Sequence, residues 1–401
     1  MATPVPQDIF SRFMAGMFDE KKIIGVPTAF QSFFGRPENG AETIYSPDAN
    51  QVDIDIIRGN ERIAALIPRG TVSNSLGSLQ KGQRVERFST FSRKYPLAEE
   101  EGSISADQLI NRVAGENPYA GLDRMTRLRM LGLKIHLESM RRIIRMDEVL
   151  AAQSIMTGKQ DAIIGTANTD LQYDFRRNAA NTVTVGTSWA GGSGAILSDI
   201  DGGCIKLRSN GHVNPDMAVM GSTAINSFVK DATVRSFADN RRYGFVSMGD
   251  GAVMPAKFQR FVEGGMTFQG TLRTPRGYEL ALFTYNEGYD NGAGTFTPYI
   301  EADKVLIASS SARCDRYFGP PESLPNVPQR TQMYREYFGF DPSAPPMPPK
   351  VMAAGGVITP EAFYCDAYVS GDYKRVSIRT QHAPIFATTM TDAFLVLDTE
   401  P

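Results

Sequence analysis

Residues 122–158 read LDRMTRLRMLGLKIHLESMRRIIRMDEVLAAQSIMTG. No proline interrupts them, and good helix formers fill most positions. Taken as one helix from Met125 to Met156, the stretch is on the order of 45 Å long. A rod of that length is unusual inside an enzyme domain, and its charges exclude a membrane span.

The periodicity of the rod is more informative than its length. At about 100° per residue, Leu133, Leu137, Met140, Ile144, Ala151 and Ile155 fall on one stripe. Leu128, Leu131, Ile135, Met146 and Val149 fall on roughly the opposite side, and Arg127, Lys134, Glu138, Arg141 and Arg145 line an edge between. A surface helix carries one apolar face. Two faces call for cover on both sides, as for a helix crossing the middle of a large domain or one pinned between layers. The sequence reading sets Ile144 and Leu137 against a sheet, and Ile135 and Met146 against a hairpin or an arm.

The rest of the chain is read around this rod. A chain of 401 residues is long enough for two or three domains. Its 42 basic and 44 acidic residues nearly cancel, which argues against a dedicated nucleic-acid binder. Three scattered cysteines form no C-x-x-C and read as small buried side chains in a reducing compartment. The N-terminus lacks the basic leader of a secretion signal, and no apolar run is long enough to cross a membrane.

Residues 1–46 read as an arm. Phe30, Phe33 and Phe34 stand among Gly and Pro in GVPTAFQSFFGRPENG, which argues against a self-contained helix or strand. Such an arm cannot bury its own phenylalanines, so these three are candidates for contact with another subunit. Residues 47–101 read as an extended hairpin loop. VDIDIIRG alternates with period two, GTVSNSLGSLQKGQ has a loop composition, and RVERFSTFSRKYPL alternates again. Between residues 57 and 94 the hairpin carries Arg58, Arg62, Arg69, Lys81, Arg84, Arg87, Arg93 and Lys94 against only Glu61 and Glu86. A two-stranded hairpin is marginal alone in water, so this one needs an acidic partner surface.

Beyond the rod, residues 160–215 are rich in Gly, Asn and Thr and read as short strands and loops. Residues 214–243 carry helical periodicity, and residues 244–310 return to short strands, including DKVLIASSS. An α+β domain follows, with helices flanking a mixed sheet. Nine prolines between Pro320 and Pro349, with Tyr334, Tyr337, Phe338 and Phe340 among them, read as an extended strap laid against protein. The C-terminus gives two strands around an Ala-Pro turn.

Chemistry is sparse. His136, His212 and His382 lie in unrelated contexts without metal-ligand spacing. GGSGA at 191–195 fails the nucleophile-elbow pattern at Ala195 and follows no apolar strand. Glu99–Glu101 reads as a solvated loop. No catalytic residue, cofactor site or metal site is expected. What remains are elements that all need partners, and identical chains closing into a symmetric shell supply them. Near-neutral charge suits a container wall, because a strongly basic inner surface would hold packaged DNA too tightly.

That order of elements resembles the tailed-phage major capsid fold (Hong Kong ninety-seven-like), and within it the lambda-like phage major capsid protein E family. Three stretches carry the resemblance: EVLAAQSIMTGK at 148–159, DKVLIASSSARCDRYFG at 303–319, and QHAPIFATTMTDAFLVLD at 381–398. It implies a structural protein that forms hexamers and pentamers of an icosahedral head enclosing double-stranded DNA. It implies a virion protein assembled in the host cytoplasm, with portal, scaffold and, as an option, decoration proteins as partners. Packaged DNA would be touched only weakly and non-specifically, and no membrane is involved. In this frame 1–46 is the arm, 47–101 the hairpin loop, and 102–195 the spine helix with the first part of a peripheral domain. Residues 196–310 form an axial domain, and 311–401 the strap with the rest of the peripheral domain. A cellular compartment shell of the same fold, or an enzyme with an unrecognised site, are the competing readings. Closed shells of DNA-filled size separate the first from both.

Overall fold

The computed structural model describes residues 26–36, 41–45, 51–56, 88–94, 98–105, 124–161, 172–190, 195–239, 246–248, 253–290, 294–319, 363–369 and 375–400. The N-terminal part of the arm, the hairpin tip and the proline-rich strap lie outside them. In chain order the elements begin with helix α1 (Ala29–Phe34) and strands β1 (Thr43–Tyr45), β2 (Gln51–Ile56), β3 (Phe88–Lys94) and β4 (Ala98–Ser105). The spine helix α2 (Arg124–Thr157) follows, then β5 (Lys159–Asp161), β6 (Gln172–Asp174) and β7 (Thr182–Thr184). Next come α3 (Ile196–Gly211), β8 (Met217–Met220), α4 (Ser222–Lys230), α5 (Ala232–Asp239), β9 (Val246–Met248) and α6 (Gln259–Glu263). The chain continues through β10 (Thr267–Arg273), β11 (Glu279–Thr284), β12 (Gly288–Asp290), β13 (Phe296–Pro298), β14 (Lys304–Ala308) and β15 (Asp315–Phe318). It closes with β16 (Phe363–Val369), β17 (Arg375–His382), β18 (Pro384–Ala387) and β19 (Phe394–Asp398).

A seven-stranded mixed sheet, in the order β7-β19-β14-β8-β11-β10-β9, forms the middle layer. Its central strands, MAVM, KVLIA and FLVL, are continuous apolar runs because both faces are buried. Alternation sorts them. Met217, Val219, Ala281, Phe283, Leu306, Phe394 and Val396 share one core with the spine helix and α1. Ala218, Met220, Leu280, Leu282, Ile307, Leu395 and Leu397 share the other with α3 and α4. Three layers result, helices on both sides of one sheet.

Smaller sheets stand beside this body: β16-β17-β4, β1-β15-β18, and the pairs β2-β3, β5-β6 and β12-β13. The spine helix spans 34 residues, one beyond the expected limit at each end. It reaches from the β4-β17 sheet to the seven-stranded sheet. The expected boundaries at 196 and 310 do not coincide with the large sheet's limits. Strands 182–184 and 394–398 also pair into it, because FLVL can bury both of its faces only between other strands.

Three local expectations are corrected. Ala29–Phe34 is a short helix, and Phe30, Phe33 and Phe34 are each 0% exposed within their own chain. They are therefore not contacts to another subunit: Phe258, Phe261, Tyr285 and Phe394 already cover them. Within 160–215, α3 is a 16-residue helix rather than loop. Its Ile196, Ile200, Cys204 and Leu207 repeat at helical spacing and are buried, and Gly202–Gly203 had masked the pattern. Finally, Met217–Met220 is a strand at the head of a stretch read as helical.

Candidate assembly surfaces and the joint beneath them

The basic hairpin has its root in place. β2 and β3 pair antiparallel, with Val52 opposite Arg93 and Gln51 opposite Lys94. Val52, Ile54 and Ile56, the apolar phase of VDIDI, pack with Tyr173, Phe175, Tyr317 and Ile385. Arg93 and Lys94 are thus placed on the rising strand, while Arg58, Arg62, Arg84 and Arg87 fall outside the described residues.

The spine helix is covered on more than one side, most fully along its second half. Met140 and Ile144 are buried, and Leu137, Ile135 and Met146 are half-buried. Leu133 lies in the helix, where only its backbone is described. Ile135 packs directly on Gly102 of β4, so it faces the β4-β17 sheet and not the hairpin or arm as expected. Gly102 leaves room for the branched side chain. Met146 packs against the core that holds the arm's phenylalanines. On the charged side Glu138 meets Arg141 at 3.9 Å and Arg142 at 3.8 Å, and Arg142 meets Glu100 of β4 at 3.3 Å. Exposed pairs of this kind contribute little stability.

Where arm, spine and large sheet converge, a carboxylate is buried. Glu148, 0% exposed, accepts the Phe30 amide at 2.8 Å and the Gln31 amide at 3.2 Å. These are donors that the first turn of a helix leaves unpaired, and Thr28 at the cap position supplies no side-chain bond. The Tyr285 hydroxyl donates to the same carboxylate at 3.0 Å. The spine helix therefore caps the arm helix from outside. Burial pushes the Glu148 carboxyl up to about 7, against the opposing pull of the Phe30, Gln31 and Tyr285 bonds. At the other end of α1, Arg36 Nε donates to Phe33 O at 2.8 Å, and Arg316 donates to Gly35 O at 3.3 Å.

The neighbouring Asp147 is buried with His382, whose Nε2 stands 3.1 Å from Asp147 Oδ2. Burial raises the Asp147 carboxyl, with His382 and Arg316 opposing. At the helix end, the Arg177 guanidinium donates to Ile155 O at 3.0 Å and Met156 O at 2.8 Å, and to Phe394 O at 2.9 Å. It ties the last carbonyls of the spine to the closing strand of the large sheet. Burial lowers its pKa to about 10, so it stays charged at neutral pH.

Sequence reading missed Glu148, Asp147 and Arg177. For Glu148 a signal existed. It lies four residues after Ile144 and four before Ala152, in register with the buried stripe. Among the described residues no group of metal-ligating side chains is found, and no helix is long and apolar enough to cross a membrane.

The sequence matches the family model for phage major capsid protein E over residues 42–337, well over half of the chain. No curated protein matches it. A prophage capsid protein of E. coli CFT073 is similar at 16% identity and a TM-score of 0.57, covering 99% of each chain. A phage-related protein of Bordetella bronchiseptica shares 8% identity, with a TM-score of 0.43 over 99% of this chain and 98% of that one. An encapsulin of Synechococcus elongatus shares 11%, with a TM-score of 0.40 over 89% and 85%. The first shows the shared fold; the other two are too distant to bear on it.

Proposed function

Because the chain belongs to the phage major capsid protein E family, we propose that it assembles as hexamers and pentamers into the icosahedral head of a tailed double-stranded DNA phage. Its fold is the tailed-phage major capsid fold, an α+β architecture, and its role is structural, not enzymatic. Its place is the virion. The family match favours a phage head over a cellular compartment shell.

The observation that carries the assembly reading is the rooted hairpin. β2 and β3 pair antiparallel, and the sequence between them carries Arg58, Arg62, Arg69, Lys81, Arg84 and Arg87 against Glu61 and Glu86, which supports reading it as the basic hairpin. Its apolar residues at the root are consumed by its own chain. The excess positive charge is what an acidic neighbour would recognise, and Arg84, Arg87, Arg93 and Lys94 meet acidic groups of an adjacent subunit. The arm, hairpin, peripheral and axial divisions at 1–46, 47–101, 102–195 with 311–401, and 196–310 are carried into this reading. Strands 182–184 and 394–398 then form the seam between the peripheral and axial parts. Portal, scaffold and decoration proteins complete the head, assembly takes place in the host cytoplasm, and the near-neutral chain holds packaged DNA weakly.

Reversing Arg84 and Arg87 together to Glu tests this. The folded chain is expected to persist, by circular dichroism, while shells vanish from electron micrographs. Shells that form as before would contradict the hairpin contact.

A further inference from the structure

Phe296 is 62% exposed, on a hairpin that is otherwise well anchored. In the β12-β13 register Gly288 stands opposite Pro298, Tyr289 opposite Thr297, and Asp290 opposite Phe296. Side chains alternate along each strand, so Tyr289, Thr297 and Tyr299 share one face, and Gly288, Asp290, Phe296 and Pro298 the other. The tyrosine face packs on the core, with the Tyr289 and Tyr299 rings 5.9 Å apart. The Gly294 amide donates to the Asp290 carboxylate at 2.9 Å and fixes the turn. The tip of the Phe296 ring lies over the backbone of Gly288. A single exposed apolar side chain is ordinary. This one is held on an outward face, and the same chain carries a groove to receive it.

The groove, of about 420 Å³, opens where β10 turns into β11. Phe258, Leu272 and Leu280 wall it, and Pro255, Lys257 and Arg273 edge it. From there β11 runs six residues to Thr284, and β12 begins beyond that end, at Gly288. The amides of Thr223 and Ala224, just past β8, donate to Ala302 O at 2.9 and 3.0 Å and hold the hairpin's exit at the same far end. Groove and Phe296 are therefore on the order of 20 Å apart, the length of the strand between them. A chain does not fill its own groove. Charge matches as well. Residues 285–300 hold Glu287 and Asp290 and no Lys or Arg, whereas 255–276 hold Lys257, Arg260, Arg273 and Arg276 against Glu263 alone. Two acids at the groove have partners: Asp216 accepts from Lys257 and Ser310, and Glu279 stands opposite Arg273 in register.

We propose that Phe296 of one copy enters this groove on a second copy, with Glu287 and Asp290 meeting the basic rim. Knob and socket are different surfaces, so the contact is head-to-tail, and a head-to-tail contact that closes makes a ring. The proposal rests on the assembly reading above and adds the pair of surfaces that joins neighbours within a hexamer or pentamer.

Cysteine pairing in the full-length protein tests the contact. Thr295 and Ala256 are exposed neighbours of the knob and of the groove's edge. Thr295→Cys and Ala256→Cys in one chain are expected to give, on mild oxidation of assembled particles, a reducible ladder up to pentamers and hexamers. Each single variant is expected to give none, and Cys204 and Cys314 are buried. Phe296→Ala is expected to leave circular dichroism unchanged and to raise the concentration at which particles form at least roughly ten-fold. Particles without the ladder, or Phe296→Ala particles at the natural concentration, overturn the contact and leave the assembly reading standing. Dimers from Thr295→Cys alone set two hairpins against each other and also overturn it. A natural protein that never associates overturns both.

Discussion

Glu148, Arg177 and Arg36 are charged residues turned inward, each at the end of a helix. Their partners are backbone groups: Glu148 and Arg36 serve the two ends of α1, and Arg177 the last turn of the spine. Charge at a helix end is favourable, and it is stronger when water is excluded. Arg177 has the widest reach, because it binds both the spine and β19. Arg177→Ala leaves four carbonyls, of Ile155, Met156, Asn181 and Phe394, without this donor and is expected to cost about 3 kcal/mol in denaturant unfolding. Arg177→Lys is expected to recover only part of that loss, since a single ammonium cannot spread over the same acceptors. Apart from the place of Glu148 on the buried stripe, these roles were illegible in the sequence for a physical reason. Hydropathy assigns charge to the surface, whereas the groups that make burial tolerable lie 118 residues away for Glu148 and Phe30. The arm's phenylalanines show the same limit from the other side. Their need for cover was read correctly, but the covering rings at 258, 261 and 285 belong to distant sequence.

At the scale of elements, long periodic segments were legible and short or glycine-bearing ones were not. The spine helix needed no tertiary information, because its 34 residues carry their own propensity. The alternation in VDIDI was enough to find β2 and the phase of its buried side. In α3 the glycines hid a helix, and the two glycines have opposite roles. A Cβ on Gly203 would come within 2.7 Å of Ile307 Cδ1 and 3.3 Å of Leu395 Cδ2, so the glycine lets the helix lie close on the sheet. Gly202 has nothing within 4 Å. Gly202→Ala is therefore expected to stabilise by roughly 0.5–1 kcal/mol through helix propensity. Gly203→Val is expected to cost about 1–3 kcal/mol by overpacking. Thermal unfolding of the two variants checks the contrast, and equal effects would contradict this account of the helix–sheet contact.

For the whole molecule, the family and the order of elements were legible where side-chain partners were not. Order depends on local pattern: a rod and strands of apolar runs announce themselves one at a time. The membership of the large sheet does not, since β7 and β19 join it from segments far apart in sequence. The picture is a three-layer body crossed by a long helix, with α1 capped by Glu148 of that helix and the β2-β3 pair beside it. Such a chain is expected to close on copies of itself without any enzyme or cofactor. Electron microscopy of the purified full-length protein tests that most directly. Closed shells bearing hexameric and pentameric clusters are predicted, and a protein that stays monomeric or a small oligomer at high concentration would contradict the account.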